Sequence, residues 1–137
     1  MSRQALIDSL IQHEGVSVLP YEDTEGHWTI GIGHKLEGIP LSPAAIQMIL
    51  VDDIAWTEKN LHAVIPYWHE GLTDTRQNVI LEMSFNLGAT GVKKFKKMWA
   101  AIKDENFTAA AFEMMDSKWS NQVGQRAETL ARQMREG

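Results

Sequence analysis

The sequence predicts an α+β chain, with a small sheet-bearing region near its start and helices from there to its end. Three observations carry this. Residues 27–34, His27-Trp28-Thr29-Ile30-Gly31-Ile32-Gly33-His34, are aromatic, β-branched and punctuated by glycine, as short strands are. From Leu41 onward, apolar residues recur at helical spacing between proline and glycine breaks. The 137 residues include no cysteine and no internal repeat, which excludes a disulfide scaffold, cysteine-ligated zinc or iron–sulfur, and a solenoid.

Taken in order, Leu6, Ile7, Leu10 and Ile11 share one face of a first helix. Ser2 is placed to cap its start and Gly15 to close its end, leaving Glu14 in the last turn. Val16 and Val18 then alternate, Pro20 reads as a break, and Thr24-Glu25-Gly26 reads as the turn of an antiparallel hairpin. Gly31 and Gly33 alternate with Ile30 and Ile32, so one strand face is bare and open to close approach by another group. Ser42-Pro43 is a cap with proline at the first helical position. Ile46, Ile49, Leu50 and Ile54 continue a helix expected to reach about Ala63, before Pro66. Thr73 caps the next helix, which carries Val79, Ile80, Met83 and Leu87 and ends at Gly88. Shorter helices are expected over 91–103, 108–116, 118–122 and 125–135. Together this is one domain, 1–137. Residues 13–62 form a sheet-bearing lobe with a linking helix, and residues 63–137 with 1–12 form a helical lobe.

Composition is that of a folded globular chain, 44% hydrophobic and 23% charged. The formal net charge of −5 argues against nucleic acid as a partner. Residues 1–62 carry three basic against nine acidic groups, a balance of −6, whereas residues 63–137 carry +1. Much of that basic share is Lys93, Lys94, Lys96 and Lys97, read as a solvated helix face or as a patch for an anionic polymer. Asp8 interrupts the opening residues before any long apolar stretch, so no signal peptide and no stable membrane insertion are expected.

Among groups that could do chemistry, Glu14 and Asp23 stand out as two carboxylates flanking the hairpin. A carboxyl at a helix C-terminus faces the negative end of the macrodipole, and partial burial adds desolvation, both favouring the protonated form that a general acid requires. On position alone Glu14 reads as an ordinary surface glutamate at a helix end rather than as an acid, and Asp23 as a turn aspartate bonding its own backbone. Two carboxyls of opposed protonation are the minimum for cleaving a glycosidic bond. Thr29, on the returning strand, offers a hydroxyl to hold a water near Asp23. The five histidines lack metal-site spacing, so no metal and no cofactor are expected. Ser84 and Ser120 lack a nucleophile elbow. Trp56, Trp68, Trp99 and Trp119 read as core or half-core rings, any of which could instead stack on a sugar.

The blocks Glu14-Gly15, Tyr21-Glu22-Asp23-Thr24-Glu25-Gly26 and Thr29-Ile30-Gly31-Ile32-Gly33-His34 resemble the bacteriophage-type lysozymes, the muramidases of glycoside hydrolase family 24. Phe85-Asn86-Leu87-Gly88-Ala89-Thr90-Gly91, Trp119-Ser120-Asn121-Gln122 and Arg126-Ala127 extend the resemblance over roughly residues 5–135. The resemblance implies a lysozyme-like fold whose two lobes are joined by a long helix. It also implies hydrolysis of the β-1,4 bond between N-acetylmuramic acid and N-acetylglucosamine in peptidoglycan glycan strands. Glu14 would be the general acid, Asp23 the second carboxylate and Thr29 the water-positioning residue, consistent with an inverting mechanism. Lys35, Phe85 and Asn86 would line the substrate cleft, with His34 and Arg126 in support; the arginine at the Arg126 position pairs with the catalytic glutamate in that family. The chain departs from the family pattern at His13, Lys35, Met98, Glu113 and Val123-Gly124.

The role implied by the resemblance is that of a monomeric phage or prophage endolysin, made in the host cytoplasm and reaching the cell wall through a separate pore-forming holin. A lytic transglycosylase and a non-catalytic wall-binding module are the alternatives. Asp23 with Thr29 favours water as nucleophile over an internal sugar hydroxyl.

Overall fold

The computed structural model describes residues 3–137, so the expected cap Ser2 lies outside the described residues. Helix α1 spans Arg3–Glu14. It stops where expected: Gly15 has φ +73°, and its N–H closes the last turn on the Ile11 carbonyl at 3.0 Å. α1 contributes no buried residue, so the partial burial expected for Glu14 is not found.

Three strands follow, β1 (Ser17–Glu22), β2 (Trp28–Gly31) and β3 (His34–Lys35), paired antiparallel in that order. Tyr21 faces Thr29 and Glu22 faces Trp28. Pro20 does not end β1 as the sequence suggested. The strand runs through it, as an edge strand allows, and the ladder is irregular between Ser17 and Tyr21. Gly31 and Gly33 do not alternate along one strand either. Both adopt positive φ, +67° and +64°, and turn the chain between β2 and β3. Thr29 faces Lys35 and Ile30 faces His34 across that second pairing.

Helix α2 spans Pro43–Val64, with the Ser42 hydroxyl accepting from the Ala45 N–H at 3.1 Å. The chain divides into two compact units, Met1–Gln47 and Met48–Gly137, and the boundary falls within α2. α1 belongs with the sheet in this division, where the sequence grouped residues 1–12 with the helices.

In the second unit, α3 (Asp74–Leu87) starts at Thr73, whose side chain accepts from the Arg76 N–H at 3.2 Å, and ends at Gly88, φ +78°. The single helix expected over 91–103 is two: α4 (Ala89–Lys93) and α5 (Lys96–Lys103). The chain bends at Phe95, which leaves helical geometry at ψ 60° and sets its ring edge-on to Trp119, 6.1 Å between centroids. α6 (Phe107–Met115), α7 (Lys118–Val123) and α8 (Gln125–Glu136) complete the unit, α6 and α7 being capped by Asn106 and Ser117.

The core lies here. Leu61, Ile65, Ile80 and four methionines, Met83, Met98, Met114 and Met134, are fully buried. Flexible thioethers suit the irregular gaps between short helices. Arg76 ties α3 to the end of α8: Nε donates to the Met134 carbonyl at 2.7 Å, and the guanidinium lies 3.6 Å from the Phe107 ring centroid. A cation on terminal helix carbonyls is also favoured by the dipole. Among the described residues no helix is long and apolar enough to cross a membrane.

Candidate active site

Glu14 is the last residue of α1, and Gly15 turns the chain from there into β1. The carboxyl of Glu14 rests against the backbone of Gly33. A Cβ at Gly33 would lie 3.0 Å from Oε2, 3.1 Å from Cδ and 3.3 Å from Cγ. The glycine therefore serves two needs at once, a left-handed turn and room for the carboxyl.

Asp23 sits at the start of the β1–β2 turn. Its Oδ1 accepts backbone N–H bonds from His27 at 2.8 Å and Glu25 at 2.9 Å. The imidazole of His27 stands 3.6 Å from Oδ2. The His27 N–H holds the Asp23 carboxyl below its ordinary 3.8; the Glu25 N–H and the charges of His27 and Lys35 act the same way, while burial opposes them. Asp23 is thus an ionised carboxylate across the neutral range.

Thr29 is 3% exposed and is the sole buried residue among the described residues of the first unit. Its hydroxyl donates to the His27 carbonyl at 3.0 Å, and the same carbonyl accepts the Asp23 N–H at 2.8 Å. One backbone residue, His27, thus joins Asp23 and Thr29. With its proton engaged, the Thr29 oxygen is left to accept. Lys35 pairs with Thr29 across the sheet and is exposed, and His34 is half-buried beside it.

Phe85, Asn86 and Arg126 belong to the second unit. Phe85 is 47% exposed. It lines a 480 Å³ cavity with Leu50, Ile54, Leu81, Glu82 and Arg126. Asn86 accepts from the Trp119 indole N–H at 2.8 Å, so its amide oxygen is engaged by the core. Within this unit the Arg126 guanidinium is held by Glu82, Nε to Oε2 at 2.8 Å. Met98 and Glu113, two departures from the family pattern, line a 610 Å³ groove with Phe95, Trp119 and Lys97.

Sequence reasoning missed His27 and Glu82. His27 acts through its backbone, which carries no residue signature, although its place four residues after Asp23 across a turn was a usable signal. The bare strand face expected from alternating glycines does not form; the carboxyl of Glu14 lies against Gly33 in the β2–β3 turn instead. Among the described residues, no three His, Asp or Glu side chains converge as a metal site.

The family model described as phage lysozyme matches residues 11–136, which takes in Glu14, Asp23, Thr29 and Arg126. The chain belongs to the phage lysozyme family. It is a lysozyme-type glycoside hydrolase, with the small three-stranded sheet and helical body of that α+β fold. Among its relatives is a protein named probable T4-type lysozyme 2 of Dictyostelium discoideum. It is 28% identical, over 90% of this chain and 89% of the relative. Peptidoglycan hydrolase gp36 of Pseudomonas phage phiKMV is 28% identical over 91% of this chain and 14% of its own length. The SAR-endolysin of Enterobacteria phage P21 is 30% identical over 56% of this chain and 47% of its own length.

Proposed function

We propose that this phage-type lysozyme is a muramidase, cleaving the β-1,4 bond between N-acetylmuramic acid and N-acetylglucosamine in peptidoglycan. The observation that carries the reading is the Asp23–His27–Thr29 unit, an ionised carboxylate and an accepting hydroxyl oxygen joined through one backbone residue. A water between two such acceptors donates both protons and turns a lone pair toward the anomeric carbon. Glu14 protonates the departing glycosidic oxygen, and Asp23 stabilises positive charge at the anomeric carbon as the bond opens. Water adds to that carbon, and its released proton passes through Asp23 to solvent. Phe85 and Lys35 contact the glycan, and His34 and Arg126 support the machinery. The names of the relatives, a peptidoglycan hydrolase and an endolysin, support wall glycan as substrate.

The biological role that fits is a monomeric phage or prophage endolysin, acting at the cell wall after release by a separate holin. Glu14→Gln is expected to abolish clearing of outer-membrane-permeabilised Gram-negative cells with little change in melting temperature. If that variant clears as fast as the parent, Glu14 is not the acid. Mass spectrometry of the digested wall checks the nucleophile: reducing muramic ends mean water, and anhydro-muramic ends mean a transglycosylase.

A further inference from the structure

The second unit holds a groove that the hydrolytic reading does not use. Its volume is 660 Å³, within the roughly 300–1,000 Å³ of ligand pockets. Tyr67 and Trp99 form its aromatic wall, meeting at 88° with 6.1 Å between ring centroids. Tyr67 is 50% exposed, and Trp99 is braced by its indole N–H on the Val92 carbonyl at 3.0 Å. Glu70, Lys103 and Glu105 supply the polar edge, and none of them forms an ion pair among the described residues.

Glu105 bears on what this groove is for. It is the sole non-glycine with positive φ among the described residues, at +56°. Its N–H bonds the Ile102 carbonyl at 2.9 Å, and the Asn106 N–H bonds the Ala101 carbonyl at 2.8 Å. This is the helix-ending motif in which glycine is the ordinary occupant of the left-handed position. A carboxylate stands there instead, in strained geometry, on the groove wall.

We infer that this groove is an auxiliary glycan-binding site that holds an uncharged N-acetylhexosamine unit of the wall glycan against Tyr67 and Trp99. The ligand class rests on the glycan substrate proposed above. An aromatic corner takes the C–H face of a pyranose ring. Two carboxylates accept from hydroxyls and an amide N–H, while Lys103 and the Tyr67 hydroxyl donate to sugar oxygens. Two carboxylates against one ammonium disfavour a phosphate-bearing or polycarboxylate ligand.

The probe is the trisaccharide of N-acetylglucosamine, titrated into the full chain and followed by NMR at the Trp99 indole N–H and the Gly71 and Glu105 amides. Saturable shifts are expected at all three. Tyr67→Ala is expected to weaken binding at least tenfold, and Tyr67→Phe to retain most of it. Glu105→Gly relieves the strained backbone, so it is expected to melt no lower than the parent and yet bind more weakly, which separates lost binding from lost folding. The inference is overturned if the trisaccharide moves no signal in this groove, or if Tyr67→Ala and Glu105→Gly bind as the parent does. Cell clearing with absent shifts removes this site alone; shifts without clearing remove the hydrolase reading alone.

Discussion

The Glu14 carboxyl is seated on Gly33, so close that a methyl group there would come within 3.0 Å of Oε2. Gly33→Ala therefore meets two penalties. A left-handed φ of +64° costs an L-residue about 1–2 kcal/mol, and the added methyl displaces the carboxyl. The expected result is a stability loss of about that size in chemical denaturation, with a fall in clearing rate of roughly 100-fold from misplacement of the acid. If stability drops and activity does not, the position of Glu14 against this glycine is unimportant.

Asp23 should make stability depend on pH in a defined direction. Its carboxyl is held below 3.8 in the folded chain, so the ionised form is favoured by folding. The stabilisation is full above the unfolded value and is lost as pH falls through the folded one. Asp23→Asn keeps an oxygen to accept the two backbone N–H bonds but removes the charge. Thermal melts should show the parent ahead of the variant at neutral pH, with the gap closing below 3.8. A gap that is constant or widens in acid refutes the assignment.

Thr29 separates structure from chemistry through a pair of variants. Thr29→Val deletes the hydroxyl that bonds the His27 carbonyl, which should cost about 1–2 kcal/mol. Its clearing activity should fall by roughly 100-fold or more if the oxygen orients water. Thr29→Ser keeps the oxygen and should keep most of the activity. Equal activity in both variants would remove Thr29 from the reaction.

Asn86 is expected to matter for folding. Asn86→Leu leaves the Trp119 indole N–H without its 2.8 Å partner inside the helical unit, a loss of about 1–3 kcal/mol. Denaturant midpoints of Asn86→Leu and Asn86→Gln compare this directly, the glutamine retaining an acceptor on a longer arm. An unchanged midpoint for the leucine would show that the indole finds another partner.

Much of this structure was legible in the residues because its signals are local. Ser42-Pro43 and Thr73 start helices with their own side chains, and Gly15 and Gly88 end them with their own φ. The split at Phe95 was not legible, since the ring that Phe95 packs against, Trp119, lies 24 positions away. Pro20 misled for a related reason: a proline breaks a central strand, and only the pairing reveals that β1 is at an edge. For the proposed site, Glu14, Asp23 and Thr29 stand in the sequence as candidate types at a spacing. The His27 main chain that binds two of them together was not legible, because every residue has the same amide. Glu82 beside Arg126 was hidden by a separation of 44 residues.

The methionines sealed within the helical unit have a chemical consequence. Peroxide converts a thioether to a polar sulfoxide, and it reaches Met83, Met114 and Met134, fully buried and away from the groove that Met98 lines, only when the surrounding helices separate. Met48 and Met115, 64% and 38% exposed, react without any such opening and calibrate the oxidant. The slow part of the mass gain is then a clock for how often the helical unit comes apart, kept by sulfur atoms the chain already carries.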